Sequence, residues 1–210
     1  MKKNTAESTG LRRVPLQERS RRRVEQIVDA AAARFAADGF DATTVEQIAA
    51  DAGASIGSVY QFFRDKRALF RAVALECLRR SRESYASMLG PEPLSQPWPE
   101  LLDRLIDGYA ALTETDVYFR AVWRHYELYA EYQEEDRALL DELAGATEGI
   151  LAYWAPALGP EQRRVTALML VETAGLILFL GLQLHPGDGP AILRETKRML
   201  RAYVQSVLEE

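Results

Sequence analysis

Between residues 44 and 66 the chain gathers side chains suited to reading a polyanion, not to breaking bonds. The stretch runs Thr-Val-Glu-Gln-Ile-Ala-Ala-Asp-Ala-Gly-Ala-Ser-Ile-Gly-Ser-Val-Tyr-Gln-Phe-Phe-Arg-Asp-Lys. Ser58 and Gln61 can hydrogen-bond base edges or phosphate oxygens. Gly57 has no side chain, so backbone there can approach bases or thymine methyl groups closely, next to the neutral Ile56. Tyr60 offers a rigid ring and a phenol donor for a phosphate. Thr44 and Lys66 stand at helix starts, and Ser55 opens the helix between them. A helix N-terminus and a lysine are both natural phosphate partners. Arg12, Arg13, Arg19, Arg21, Arg22 and Arg23 could reach flanking backbone or the minor groove. Bond-breaking chemistry has no comparable signal. The sequence holds no nucleophile–base pair, no glycine-rich phosphate loop and no His-Glu-x-x-His. One cysteine, Cys77, and two histidines, His125 and His185, leave little for a metal centre. The expectation is a non-enzyme with no catalytic residue, cofactor or metal.

These side chains need a frame. Val24, Ile27, Val28, Ala31 and Phe35 recur every three or four residues, one face of a helix. Gly39 is positioned to stop it. Thr44 and Gln47 fit a capping box for a second, short helix. Ala49 is small enough for close helix approach, and Gly53, four residues later, suits a sharp turn with positive φ. Ile48 and Val59 supply the apolar contact that fixes the crossing. Two short helices around a tight turn make a helix-turn-helix, whose second helix, about Ser55 to Phe62, would enter the major groove of DNA. A fourth helix starts near Asp65.

The net charge of −5 argues against a nucleic-acid partner, but it is an average. Residues 1–82 carry 16 Lys and Arg against 10 Asp and Glu, a net of +6; the remainder carries −11. The basic section coincides with the motif and the arm before it.

The string Thr44, Ile48-Ala49, Ala52-Gly53, Ser55, Gly57, Ser58, Tyr60, Phe63, Lys66 and Leu69 resembles the TetR family of bacterial transcriptional regulators. Phe35 and Gly39-Phe40 precede it as in that family, and the resemblance covers residues 20–75. Phe62 departs from it: the family often has Tyr or His there, and Phe cannot make their phosphate hydrogen bond. The hydrophobic spacing along the chain, with no alternating strand pattern of useful length, reads as all-α with about nine helices; the resemblance implies an all-α homodimer with an N-terminal three-helix DNA-binding domain. It implies a C-terminal domain for ligand binding and dimerisation. The expected division is a flexible basic arm over 1–19, the helix-turn-helix domain over 20–75 and the second domain over 76–210. The expected function is a sequence-specific repressor released from a palindromic operator of double-stranded DNA by a small-molecule effector. The alternative is a small-molecule sensor that has lost operator binding.

Beyond the proline-rich stretch at 89–99 the chain is again helical. Aromatics cluster at 109–132, and Phe119, Trp123 and Tyr126 read as one stripe that lines a ligand pocket. Glu172 lies mid-helix among Leu170, Val171, Ala174 and Leu176, and a buried carboxylate there would need a partner such as a cationic ligand; an intramolecular Arg, a Tyr hydroxyl or an exposed helix face would serve equally. The stretch 165–184 approaches the length of a membrane span, but Glu172 near its centre points to a buried or subunit-interface helix instead. The last two helices, 161–184 and 190–208, carry more apolar surface than one domain buries, which predicts a homodimer built on them. No secretory signal is visible at the start, so the expected location is the cytoplasm.

Overall fold

The computed structural model describes residues 11, 18–90 and 92–209. Arg12 and Arg13 of the basic arm lie outside the described residues. Nine α-helices make up the fold among those residues: α1 Glu18–Ala37, α2 Val45–Asp51, α3 Ile56–Phe62, α4 Lys66–Leu89, α5 Trp98–Thr115, α6 Val117–Trp123, α7 Gln133–Trp154, α8 Pro160–Leu184 and α9 Gly189–Leu208. Short 3-10 turns occupy Pro93–Ser95, Tyr126–Glu131 and Pro186–Asp188.

The chain divides into two compact units, and the division differs from the expected boundary at residue 76. Unit 1 comprises residues 1–79 together with 116–133; unit 2 comprises 80–115 and 134–210. The first unit therefore recruits α6 and the turn after it from the second half of the sequence.

Unit 1 is organised by the apolar face of α1, whose Ile27, Ala31 and Phe35 are completely buried. Gly39, at φ 89°, ends that helix's extension and lets the chain turn. Phe35, Phe40 and Phe70 form a triangle of rings with centroids 5.5–5.8 Å apart. Such tilted contacts add to the burial of large apolar surface. α6 packs on α1. Asp116 caps its first turn by accepting from the Tyr118 and Phe119 amides. Phe119 is buried, and the Tyr118 hydroxyl donates to the Asp29 carboxylate. Arg124 Nη1 donates to the Ala36 and Ala37 carbonyls, both at 3.0 Å, so it satisfies the open end of α1.

Unit 2 is a helical bundle whose core includes Ile106, Leu151, Ala167, Leu170, Leu178, Leu200 and Val204. Lys197 pairs with Asp107 at 2.5 Å, and Arg201 pairs with Asp103, which ties α9 to α5. The apolar helix α8 is only partly covered. Pro160–Leu182 has the length and apolarity of a membrane span, yet 22% of that window is buried. Val165, Met169, Leu176, Leu180 and Leu184 are all exposed, at spacings that place them on one face.

Candidate nucleic-acid interface and ligand cavity

α2 and α3 meet as the capping residues dictate. The Thr44 hydroxyl accepts from the Gln47 amide at 3.3 Å, and the Gln47 side chain accepts from the Thr44 amide at 2.8 Å. This reciprocal box satisfies two amides that the first helical turn leaves open. Gly53, at φ 57°, turns the chain between the helices, and the Ala54 amide donates back to the Ala49 carbonyl at 2.9 Å. Ser55 then caps α3 by accepting from the Ser58 amide at 3.2 Å. Ile48 and Val59 are completely buried and Ala49 nearly so, which fixes how the two helices cross.

With that inner face buried, α3 turns the other one outward. Ile56 and Tyr60 are each 40% exposed, well above what large apolar and aromatic side chains show inside a domain. Gly57 and Gln61 are exposed, Ser58 is half-buried, and Thr44 and Ser55 are exposed at the two helix starts. A groove beside α3 is lined by Ser58 and Gln61 on one side and Arg19, Arg22 and Arg23 on the other. Phe62 points inward and is buried, so it packs.

Several basic side chains hold the motif together. Arg23 Nη1 donates to the Gly53 carbonyl at 2.9 Å and the Ala52 carbonyl at 3.3 Å, which clamps the turn itself. Arg34 grips the Asp51 carboxylate through Nε at 2.5 Å and Nη2 at 3.0 Å. Those hydrogen bonds hold the Asp51 carboxyl below its ordinary value, with burial opposing and the Arg34 charge adding to the effect. Lys66, expected to meet a phosphate, binds backbone carbonyls of its own chain. Its ammonium donates to the carbonyls of Phe40 at 2.7 Å, Thr43 at 2.9 Å and Asp41 at 3.3 Å, and lies 4.4 Å from the Phe40 ring centroid. An ammonium has three donors, and three carbonyls occupy them. Lys66 thus staples the loop that leads into α2.

His125, on the turn after α6, adds a second staple. Its Nε2 accepts from the Phe40 amide at 2.9 Å, and Nδ1 lies 2.9 Å from Glu127 Oε1. An acceptor at Nε2 requires the proton on Nδ1, so the neutral ring donates to Glu127.

Of the residues expected to line a ligand pocket, Phe119, Trp123 and Tyr126 belong to unit 1 and Glu172 to unit 2. The Phe119 and Trp123 rings meet at a tilt, with centroids 5.4 Å apart, within unit 1, and Phe119 lies in its core. Tyr126 is 61% exposed and stacks on Tyr129 at 5.6 Å. The presumed common stripe is broken because α6 ends at Trp123 and His125 leaves helical geometry, at φ −124° and ψ 52°. Glu172 belongs to unit 2, and its side chain is exposed. Its apolar neighbours did not imply burial, because Met169 and Leu176 beside it are exposed as well.

Unit 2 instead holds a different, partly open cavity, of about 150 Å³, lined by leucines with Val171, Gly175 and Met88. Its polar groups are hydroxyls: Ser81, Tyr85, Tyr109 and Thr147. Tyr85 Oη lies 2.9 Å from Thr147 Oγ1, and Thr147 donates to the Leu143 carbonyl at 2.9 Å. Burial pushes the Tyr85 phenol above its ordinary value, against an opposing pull from Thr147, so it stays a neutral hydroxyl. Sequence reading missed this cavity, since its Leu, Met and Val residues fall at ordinary core spacing. Among the described residues no group of His, Cys, Asp and Glu is arranged to hold a metal.

Comparison with known proteins agrees with the geometry of both units. Residues 27–73 match the family described as bacterial regulatory proteins, tetR family. Residues 97–203 match the tetracyclin repressor-like C-terminal domain. The chain is 27% identical over 193 residues to the HTH-type transcriptional repressor BepR of Brucella suis biovar 1, covering 87% of this chain and 90% of that protein. A TetR-family transcriptional regulator from Streptomyces coelicolor superposes with a TM-score of 0.64 at 28% identity, over 88% of this chain and 99% of that one. A TetR-family regulator from Pectobacterium atrosepticum shares the fold at a TM-score of 0.72 and 15% identity, over 93% and 99% of the two chains. Helix-turn-helix, all-α architecture and full-length similarity converge: the chain belongs to the TetR family of DNA-binding transcriptional regulators, which are transcription factors and not enzymes.

Proposed function

We infer that the protein is a homodimeric repressor that reads a palindromic operator with α3 and leaves it when a small molecule occupies the cavity of unit 2. The observation that carries the DNA half is the outward face of α3. Ile56, Gly57, Tyr60 and Gln61 stand exposed, with Ser58 half-buried beside them, on a helix whose inner face is locked by Ile48 and Val59. Thr44 and Ser55, at the two helix starts, are placed to meet phosphates, and the Arg19 and Arg22 side chains flank the same groove. Repression as the sign of regulation is supported by the similarity to a transcriptional repressor.

The exposed stripe on α8 supports dimerisation through α8 and α9. Contiguous apolar surface of this kind marks an interaction face, and a two-fold pairing would let the two α3 helices meet successive half-sites. Glu172 sits on that stripe between Met169 and Leu176, so pairing would cover its carboxylate and require a hydrogen-bond partner there. The same pairing accounts for the membrane-like composition of α8. Effector control follows as a population shift: a ligand that favours the form mismatched to groove spacing weakens operator binding, and one with equal affinity for both forms changes nothing.

A mobility shift with the DNA flanking the protein's own coding region tests this reading. A specific, salt-sensitive complex is expected from the wild type and none from Tyr60→Ala at equal dimer content. Absence of a specific shift at every salt concentration would instead leave the sensor without operator binding.

A further inference from the structure

We propose that the unit 2 cavity takes an uncharged, single-ring-sized hydrophobic molecule bearing one hydroxyl, whose proton is accepted by Tyr85. The inference rests on the reading of this cavity as the effector site and adds the ligand's chemical class. Size comes first. About 150 Å³ matches a cavity that accepts one benzene-sized molecule.

Charge comes second. Among the described residues the lining contains no Asp, Glu, Lys, Arg or His. An ion entering would lose its hydration without a counter-charge, which a neutral molecule avoids. The cation expected opposite Glu172 has no place here, because that carboxylate is exposed and outside the lining.

Hydrogen-bond direction comes third. The Thr147 hydroxyl has one proton, and it goes to the Leu143 carbonyl. Tyr85 must then donate its own proton to Thr147 Oγ1 across 2.9 Å. Both donors at this end are spent, and Tyr85 Oη is left with acceptor capacity beside the apolar wall. A ligand hydroxyl completes that chain without breaking a bond. A carbonyl ligand placed at this end would first have to pull Tyr85 away from Thr147.

Calorimetric titration of the intact dimer with p-cresol, toluene, benzoate and benzylammonium tests the class, with Tm recorded for each variant. The expected order is p-cresol ahead of toluene by roughly fivefold, the ratio one neutral hydrogen bond gives, with no binding of either ion. Tyr85→Phe is expected to bring p-cresol down to the affinity of toluene while toluene and Tm hold. Gly175→Leu has room to point into the cavity, since a Cβ there meets nothing nearer than Tyr109 Oη at 3.8 Å. It is expected to abolish binding of both neutral compounds without lowering Tm. Binding of benzoate or benzylammonium at the strength of p-cresol would overturn the proposal. So would silence of both neutral compounds, or a Tyr85→Phe variant that keeps the preference for p-cresol. A mobility shift run in parallel separates the two readings: Tyr85-dependent binding of p-cresol that leaves the DNA complex intact supports the ligand class and rejects the effector role.

Discussion

The two units solve different problems with the same helical material. Unit 1 fills its interior with rings and spends charged side chains on loop carbonyls: Lys66 on three of them, Arg23 on the turn, Arg124 on the end of α1. Unit 2 leaves a cavity in its core and an apolar stripe on α8 uncovered. Rigid placement of α3 needs every local conformation fixed, since a groove is read by a few side chains within hydrogen-bond reach. A unit proposed to receive a ligand and a second copy of itself must instead keep surfaces that those partners complete. Charge follows the same division. Unit 1 holds 16 Lys and Arg against 13 Asp and Glu, whereas unit 2 holds 10 against 18.

The contrast is most easily broken in the two interiors. Phe70→Ala removes a completely buried ring from unit 1 and should cost about 3–5 kcal/mol in denaturant unfolding. Gly175→Ala, on the cavity wall of unit 2, should instead gain up to about 1 kcal/mol from helix propensity. Similar losses at both sites would mean that unit 2 is packed as tightly as unit 1. Next in size is the uncovered stripe. Leu180→Glu should convert the dimer to monomer in sedimentation and weaken operator binding about 100-fold, because two half-sites are no longer held together.

Lys66 sharpens the comparison further. Lys66→Met leaves three carbonyls without their donor and should cost about 1–3 kcal/mol of stability, with the salt dependence of operator binding unchanged. A slope flatter by about 1 would show that the ammonium moves to a phosphate in the complex. The smallest effect is acid dependence in unit 1. Asp51 has a depressed carboxyl, so the Arg34 pair contributes fully above the ordinary 3.8 and is lost as pH falls through the lower folded value. The Tm difference between wild type and Asp51→Asn should therefore be constant from about pH 5 to 7 and shrink below about pH 3.8.

How far the sequence reached depended on whether a signal was local. Thr44 with Gln47, the turn at Gly53 and the three-four spacing from Val24 to Phe35 each act within one turn of chain, and each stands in the structure as the pattern implies. Placement across the chain was not legible. The spacing of Phe119 and Trp123 marks an apolar face but not the α1 surface that covers it, so the packing of residues 116–133 with α1 has no local signal. Lys66 looked like a free cation, because the carbonyls it binds lie 23 to 26 residues away. Glu172 looked buried because its neighbours are apolar, and that inference fails where an apolar face has no cover within its own chain. The cavity escaped notice because an unfilled core and a filled one share the same hydrophobic spacing.

The most direct test of the DNA-reading assignment is a DNase I footprint on the flanking DNA with wild type and Tyr60→Ala compared at equal dimer concentration. Two-fold symmetric protection with half-sites about one helical turn apart, lost in the variant, is the predicted result. Absence of protection, or protection that Tyr60→Ala leaves unchanged, would contradict the assignment of α3 as the helix that reads the operator.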